Sequence, residues 1–260
     1  MPDASWLVAA GIGFATSLLV ALATWAASIA LRDVSIVDAA WSLLIVLPAA
    51  AIAITNDPAG ARAALVLLVA AAWALRLSAY IVWRHRGQAE DARYAAIRQR
   101  HDPGFWWKSL YLVFGLQWVL ACIVALPLLA AVASPLPWRM LDAAGLTLAL
   151  FGLVYETVAD AQLARFKADP AHGGAVMDRG LWRYSRHPNY FGECCVWWGL
   201  WIVAAAAGAW WTVVSPLVVT FLLLKVSGVT LLESTIGERR PAYAAYVRQT
   251  NAFLPGKPRA

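Results

Sequence analysis

Seven apolar runs, each about as long as a helix that crosses a bilayer, leave this chain few ways to fold. They cover residues 6–31, 36–55, 61–83, 106–133, 141–163, 190–207 and 211–232. No run alternates over ten residues in the manner of an outer-membrane barrel strand. With 62% hydrophobic and 14% charged residues, against about 25% charged in a soluble domain, a globular water-soluble fold is excluded. The expected fold is all-α: a polytopic membrane bundle of about seven helices. No repeat, linker or composition shift divides the 260 residues, so a single transmembrane domain is expected.

The basic residues orient the bundle. Of the 21 Lys and Arg, all but four fall at Arg32, in the 84–108 and 165–186 loops, or in the tail after residue 238, which are the connections on one side. Arg62 and Arg139 lie on the other side, and Arg76 and Lys225 lie inside spans. The positive-inside rule therefore places the N-terminus outside and the C-terminus in the cytoplasm. The net charge of +6 is accounted for by these loops, so the expected partner is the membrane lipid rather than nucleic acid. The N-terminus MPDASWLVAA has no basic n-region, and its apolar run is too long for a cleaved signal, so the first span should be retained. Cys122, Cys194 and Cys195 all lie in predicted spans, and adjacent Cys194 and Cys195 point to different helix faces; they read as small buried residues and no metal is expected.

Ionisable residues inside spans are expensive and mark functional candidates. The stretch 179–201, RGLWRYSRHPNYFGECCVWWGLW, runs from a basic loop into an apolar helix that carries Glu193. Asn189, Glu193 and Trp197 are spaced i, i+4, i+8 and share one helical stripe, which must face protein or a wet cavity. Glu156 and Asp160 share a face of the preceding span, where like charges repel and cations are expected nearby. Asp160, Asn189 and Glu193 all fall at cytoplasmic helix ends beside Arg-rich loops. Carboxylates and an amide next to many Arg suit a ligand with anionic groups and hydroxyls, such as a phosphorylated nucleotide. No GxGxxG follows a strand and no Walker motif occurs, so such a site is neither Rossmann-like nor a P-loop. In the tail, Tyr243 and Tyr246 follow Pro241 at the start of a helix that either closes over this site or rests on headgroups.

Four ordered segments, DVSIVDAAW (33–41), EDARY (90–94), RHPNYFGE (186–193) and RRPAYAAYVRQTNAFLP (239–255), resemble the bacterial steroid-5α-reductase-like membrane family. It belongs to a superfamily with steroid 5α-reductases, sterol reductases and isoprenylcysteine carboxyl methyltransferases. The resemblance implies an integral membrane enzyme of the bacterial inner membrane. Its N-terminal half would enclose a lipophilic substrate, and its C-terminal half would bind NADPH from the cytoplasmic side. It implies cofactor contacts at Asp160, Asn189, Glu193, Trp197 and Tyr246, with His187 and Tyr190 in the same motif and Arg165, Lys167 and Arg186 near phosphates. Arg98 and Arg100 are further candidates for the 2′-phosphate.

The activity this implies is NADPH-dependent reduction of a conjugated C=C bond in a 3-oxo-4-ene steroid or similar enone, with hydride passing to the β-carbon. The alternatives are an S-adenosylmethionine-dependent methyltransferase of a lipid or prenylated thiol, and a non-enzymatic lipid-binding or transport protein. The second span lacks the Gln-Glu pair of the animal 5α-reductases and has Asp38 instead. An unpaired Asp38 would resist ionisation and donate a hydrogen bond to the substrate carbonyl, with Tyr80 or Gln117 as a second donor; alternatively, Asp38 pairs with Arg76.

Overall fold

A computed structural model of the protein describes residues 4–55, 60–226 and 243–259. All regular elements among the described residues are helical. They are α1 (Ala4–Leu31), α2 (Ile36–Thr55), α3 (Gly60–His85), α4 (Ala92–His101), α5 (Phe105–Val132), α6 (Met140–Ala168), α7 (Pro188–Ala206), α8 (Trp210–Val226) and α9 (Tyr243–Gln249). Helices α1, α2, α3, α5 and α6 are long and apolar enough to cross a membrane; α7 carries Asn189 and Glu193 in its first turns, and α8 is shorter. The seventh expected span matches α8 as far as Val226. Its remainder, Glu233, and the Arg239, Arg240 and Pro241 start of the tail motif lie outside the described residues.

The exterior is apolar, as lipid contact demands. Leu19, Leu68, Leu75, Val154 and Phe221 are exposed in mid-helix, whereas Trp83, Trp106, Trp107, Trp138, Trp210 and Trp211 are exposed at or near helix ends, as in interfacial aromatic belts. The chain is an integral membrane protein of helical type.

The chain forms two compact units, residues 1–142 with 203–212, and residues 143–202 with 213–260. In the first, α2 packs against α1, α3 and α5. Gly13 permits the α1 crossing, since a Cβ there would lie 2.5 Å from Pro48 Cα. Ser42 and Ser78 join α2 to α3 through a 2.8 Å hydroxyl pair and bonds to Ala74 O and Ala39 O, polar contacts that hold helices together where no hydrophobic force acts between them. Arg62, one of the two basic residues assigned to the outer side, is buried: its guanidinium grips Asp142 with two bonds of 2.7 and 2.8 Å and donates to Leu136 O and Pro137 O.

In the second unit α6 and α7 run in backbone contact. A Cβ on Gly152 would lie 2.5 Å from Gly192 O, and one on Gly199 2.5 Å from both Ala149 N and Gly145 O. The glycines let the two backbones approach as closely as small-residue seams do in membranes. Tyr155, Phe191 and Phe253 add an edge-to-face aromatic series from α6 through α7 to the tail.

Candidate functional site

The glycine seam brings the polar residues of α6 and α7 together. Glu156, Asp160 and Glu193 are 2%, 4% and 7% exposed, so three carboxylates are buried within one unit. Asn189, in the first turn of α7 after Pro188, donates its amide Nδ2 to Asp160 Oδ1 at 3.2 Å. That bond turns the other end of the amide away: Asn189 Oδ1 is buried and has no hydrogen-bond partner. A buried carbonyl oxygen without a donor is costly, about 1–3 kcal/mol, and suits a water or a ligand that supplies one. Trp197, two turns along the same stripe, is fully buried.

A loop and the tail enclose this end of the helices. Trp182 donates its indole N–H to Ala159 O at 3.0 Å, and Leu181 N–H bonds Gln162 Oε1 at 2.9 Å, seating the loop on α6. Gly180, at φ 57°, makes the turn a side chain would strain. Ser185 Oγ accepts from His187 N–H at the start of α7 and donates to Phe253 O at 2.7 Å. His187 stacks parallel on Tyr190, their centroids 5.5 Å apart.

Two expected cofactor ligands are occupied otherwise. Tyr246 donates its hydroxyl to the carbonyl of Trp182. The Arg186 guanidinium donates to Thr250 O at 2.6 Å and Val247 O at 3.2 Å, closing the C-terminal end of α9. Both hold the loop against the tail. Arg165 and Lys167, at the end of α6, are exposed. Arg98 is committed to Glu90 through two bonds of 2.7 and 2.9 Å. Arg100 is exposed at the end of α4.

In the first unit the segments 33–41 and 90–94 interlock. Val34 N–H bonds Glu90 Oε1, and Asp91 N–H bonds Ser35 Oγ. Asp38 is not unpaired and its observed partner is not Arg76: Oδ2 accepts from Arg93 at 2.7 Å and Oδ1 from the Tyr94 hydroxyl at 2.5 Å. An acid that accepts on both oxygens is no free donor to a carbonyl. Burial and then the Asp38 carboxylate push the Tyr94 phenol well above its ordinary pKa, against smaller opposing effects of Arg93 and Gln117. Tyr80 packs against Trp83 and beneath the Arg84 guanidinium. The importance of Arg93 and Tyr94 was signalled only by their place in the EDARY segment.

Two acids of this interlock have depressed pKa values. Burial works against the Asp33 carboxylate, yet bonds from Ser35 and His85 outweigh it and hold its pKa below the usual 3.8; Arg93 does the same for Asp91. A depressed native pKa gives stability that is complete above the unfolded value and is lost as pH falls through the native one. The thermal midpoint in detergent is therefore expected to drop below about pH 4, and the paired change Asp33→Asn with Asp91→Asn to flatten that slope. Equal slopes would remove these acids from the acid transition.

Helices of spanning length, an apolar exterior and a buried amide–carboxylate cluster define a polytopic membrane protein with a buried polar cluster in its second unit. The chain belongs to the family described as protein of unknown function DUF1295, which it matches over residues 24–250. No curated protein and no solved structure matches it.

Proposed function

We propose that the protein is an NADPH-dependent reductase of a conjugated C=C bond in a lipophilic enone, with the dinucleotide bound by the unit of residues 143–202 and 213–260. The family's steroid-5α-reductase-like character and the four sequence segments support this reading, as does the donor set. The observation that carries it is the buried Asn189 Oδ1 without a partner, beside Asp160. That oxygen suits an amide N–H₂ or ribose hydroxyl of the cofactor, and the carboxylates suit hydroxyls. Exposed Arg165 and Lys167 suit phosphates and favour NADPH over NADH. The basic loops support a cytoplasmic cofactor side, and the sequence resemblance supports a bacterial inner membrane.

When bound, NADPH would supply the hydride for the β-carbon, and a proton from water would complete the α-carbon. Asp160 positions Asn189, and Glu193 accepts from hydroxyls. Within the first unit, Gln117 is the hydrogen-bond donor offered to the substrate carbonyl, with Asp38 and Tyr94 as positioning residues. Gln117→Ala should lose turnover by roughly a hundredfold, the cost of one such donor, while NADPH binding is kept; unchanged turnover on an enone substrate would sink this assignment.

The cofactor test is thermal stability of purified protein titrated with NADPH, NADH and S-adenosylmethionine. NADPH at 100 times its Kd should add about 2.7 kcal/mol. Asn189→Ala should weaken NADPH by about tenfold or more, as loss of a buried hydrogen bond predicts. Stabilisation by S-adenosylmethionine and not by NADPH would overturn the reductase reading, and equal affinity for NADH would remove the argument from the basic rim.

A further inference from the structure

The first unit contains a cavity of about 520 Å³ that the reductase chemistry does not use. It lies where α1 ends and α5 begins. Arg32, Arg98 and Asp102 supply its charges, and Ile29, Phe105 and Trp106 its apolar wall. The depth is that of a headgroup layer, because both helices are of spanning length and Trp106 is exposed beside the opening.

Arg32 sets this cavity apart. It is the residue just past α1, with φ at 54°, while Asp33 N–H closes the helix by bonding Ser28 O at 3.1 Å. Glycine fills that left-handed position at no steric cost, and another residue there is strained by about 1–2 kcal/mol. The side chain that incurs this strain makes no hydrogen bond or ion pair among the described residues, and its guanidinium is exposed. Backbone strain kept under an unengaged charge points to a ligand. Arg98, by contrast, is held by Glu90 and has its guanidinium carbon over the Phe105 ring at 4.8 Å, so part of its donor set is already engaged. Asp102 is exposed in the same lining and accepts from Phe105 N–H at 3.3 Å, and its charge is near enough to favour the charged form of Arg98.

We propose that this cavity binds a membrane phospholipid by its headgroup, the phosphate on Arg32 and the ammonium of an ethanolamine-type headgroup on Asp102, with Ile29 and Trp106 against the glycerol and upper acyl chain. A cation and an anion on one lining match a zwitterion, and the apolar wall favours an intact lipid over a free phosphate ester. The inference stands apart from the proposed reductase activity and rests on none of its residues.

The test measures binding of dioleoyl phosphatidylethanolamine and dioleoyl phosphatidylglycerol to the full chain in mixed micelles, with water-soluble glycerophosphoethanolamine as the third probe. Arg32→Gly should weaken phosphatidylethanolamine by about tenfold or more. Its lipid-free thermal midpoint should hold or rise, since glycine relieves the left-handed turn. Arg32→Gln must show the same loss of binding. Asp102→Asn should abolish the preference for ethanolamine while leaving phosphatidylglycerol unchanged. Unaltered phosphatidylethanolamine affinity in both Arg32 variants would overturn the site. Glycerophosphoethanolamine binding as tightly as the lipid would overturn its assignment to a membrane component.

Discussion

Replacing Arg62 with alanine is expected to destabilise the first unit by about 3–5 kcal/mol, the range for breaking a buried ion pair from one side. The reason lies in what the change leaves behind. Asp142 is fully buried and accepts from Arg62 on both oxygens and from Arg139 N–H on Oδ2. Without the guanidinium it is a desolvated carboxylate, and the carbonyls of Leu136 and Pro137 lose their donors as well. The 133–139 connection between α5 and α6 should loosen. The measurement is the fraction of detergent-solubilised protein that stays monodisperse after heating. Arg62→Met with Asp142→Leu is the companion, and it should recover most of the loss because no charge remains buried. A single variant as stable as the parent would show that the pair contributes little.

Gly152→Val and Gly192→Val are expected to be nearly as damaging, each near the upper end of the roughly 1–3 kcal/mol that overpacking costs. Backbone, rather than a flexible side-chain tip, stands opposite: Gly192 O and Val196 N for the first, Glu156 N for the second. A Cβ at either position separates α6 from α7 and so pulls Asp160 from Asn189. These variants should therefore lose ligand binding and stability together, unlike Asn189→Ala, which removes one bond of 3.2 Å. Gly11→Ala in α1 is the control, since nothing lies within 4 Å of its Cβ, and it should be neutral or slightly stabilising. A seam variant with parental stability would mean that the helices can part without penalty.

The helices were legible in the sequence because a membrane span is written in length and hydropathy, both local quantities. All seven expected runs lie on helices over their described residues, apart from Ala133 and Ala207 just past two helix ends. The grouping of Asp160 with Asn189 was also legible, because shared depth and a shared loop bring helix ends together. Partners were not. Asp38 and Arg93 are 55 residues apart, and periodicity gives the face of a helix without saying which long side chain reaches it. Arg186 and Tyr246 show the same limit: their types suggest a ligand, while the acceptors they find are backbone carbonyls, which every residue carries and no pattern marks. Arg32 left no trace either, since a positive φ is foretold only where glycine or asparagine stands.

The bonds of Ser185 and Arg186 to Phe253 and Thr250 change how genetic data on this protein should be interpreted. The peptide that starts α7, and with it the aim of the Asn189 amide, is fixed partly by main chain more than 60 residues downstream. A tail substitution that alters ligand affinity is thus no sign that the tail touches the ligand. Second-site suppressors of loop lesions are to be sought among residues 247–256, and a scan that stops at the helices would credit the tail's influence to the wrong residues.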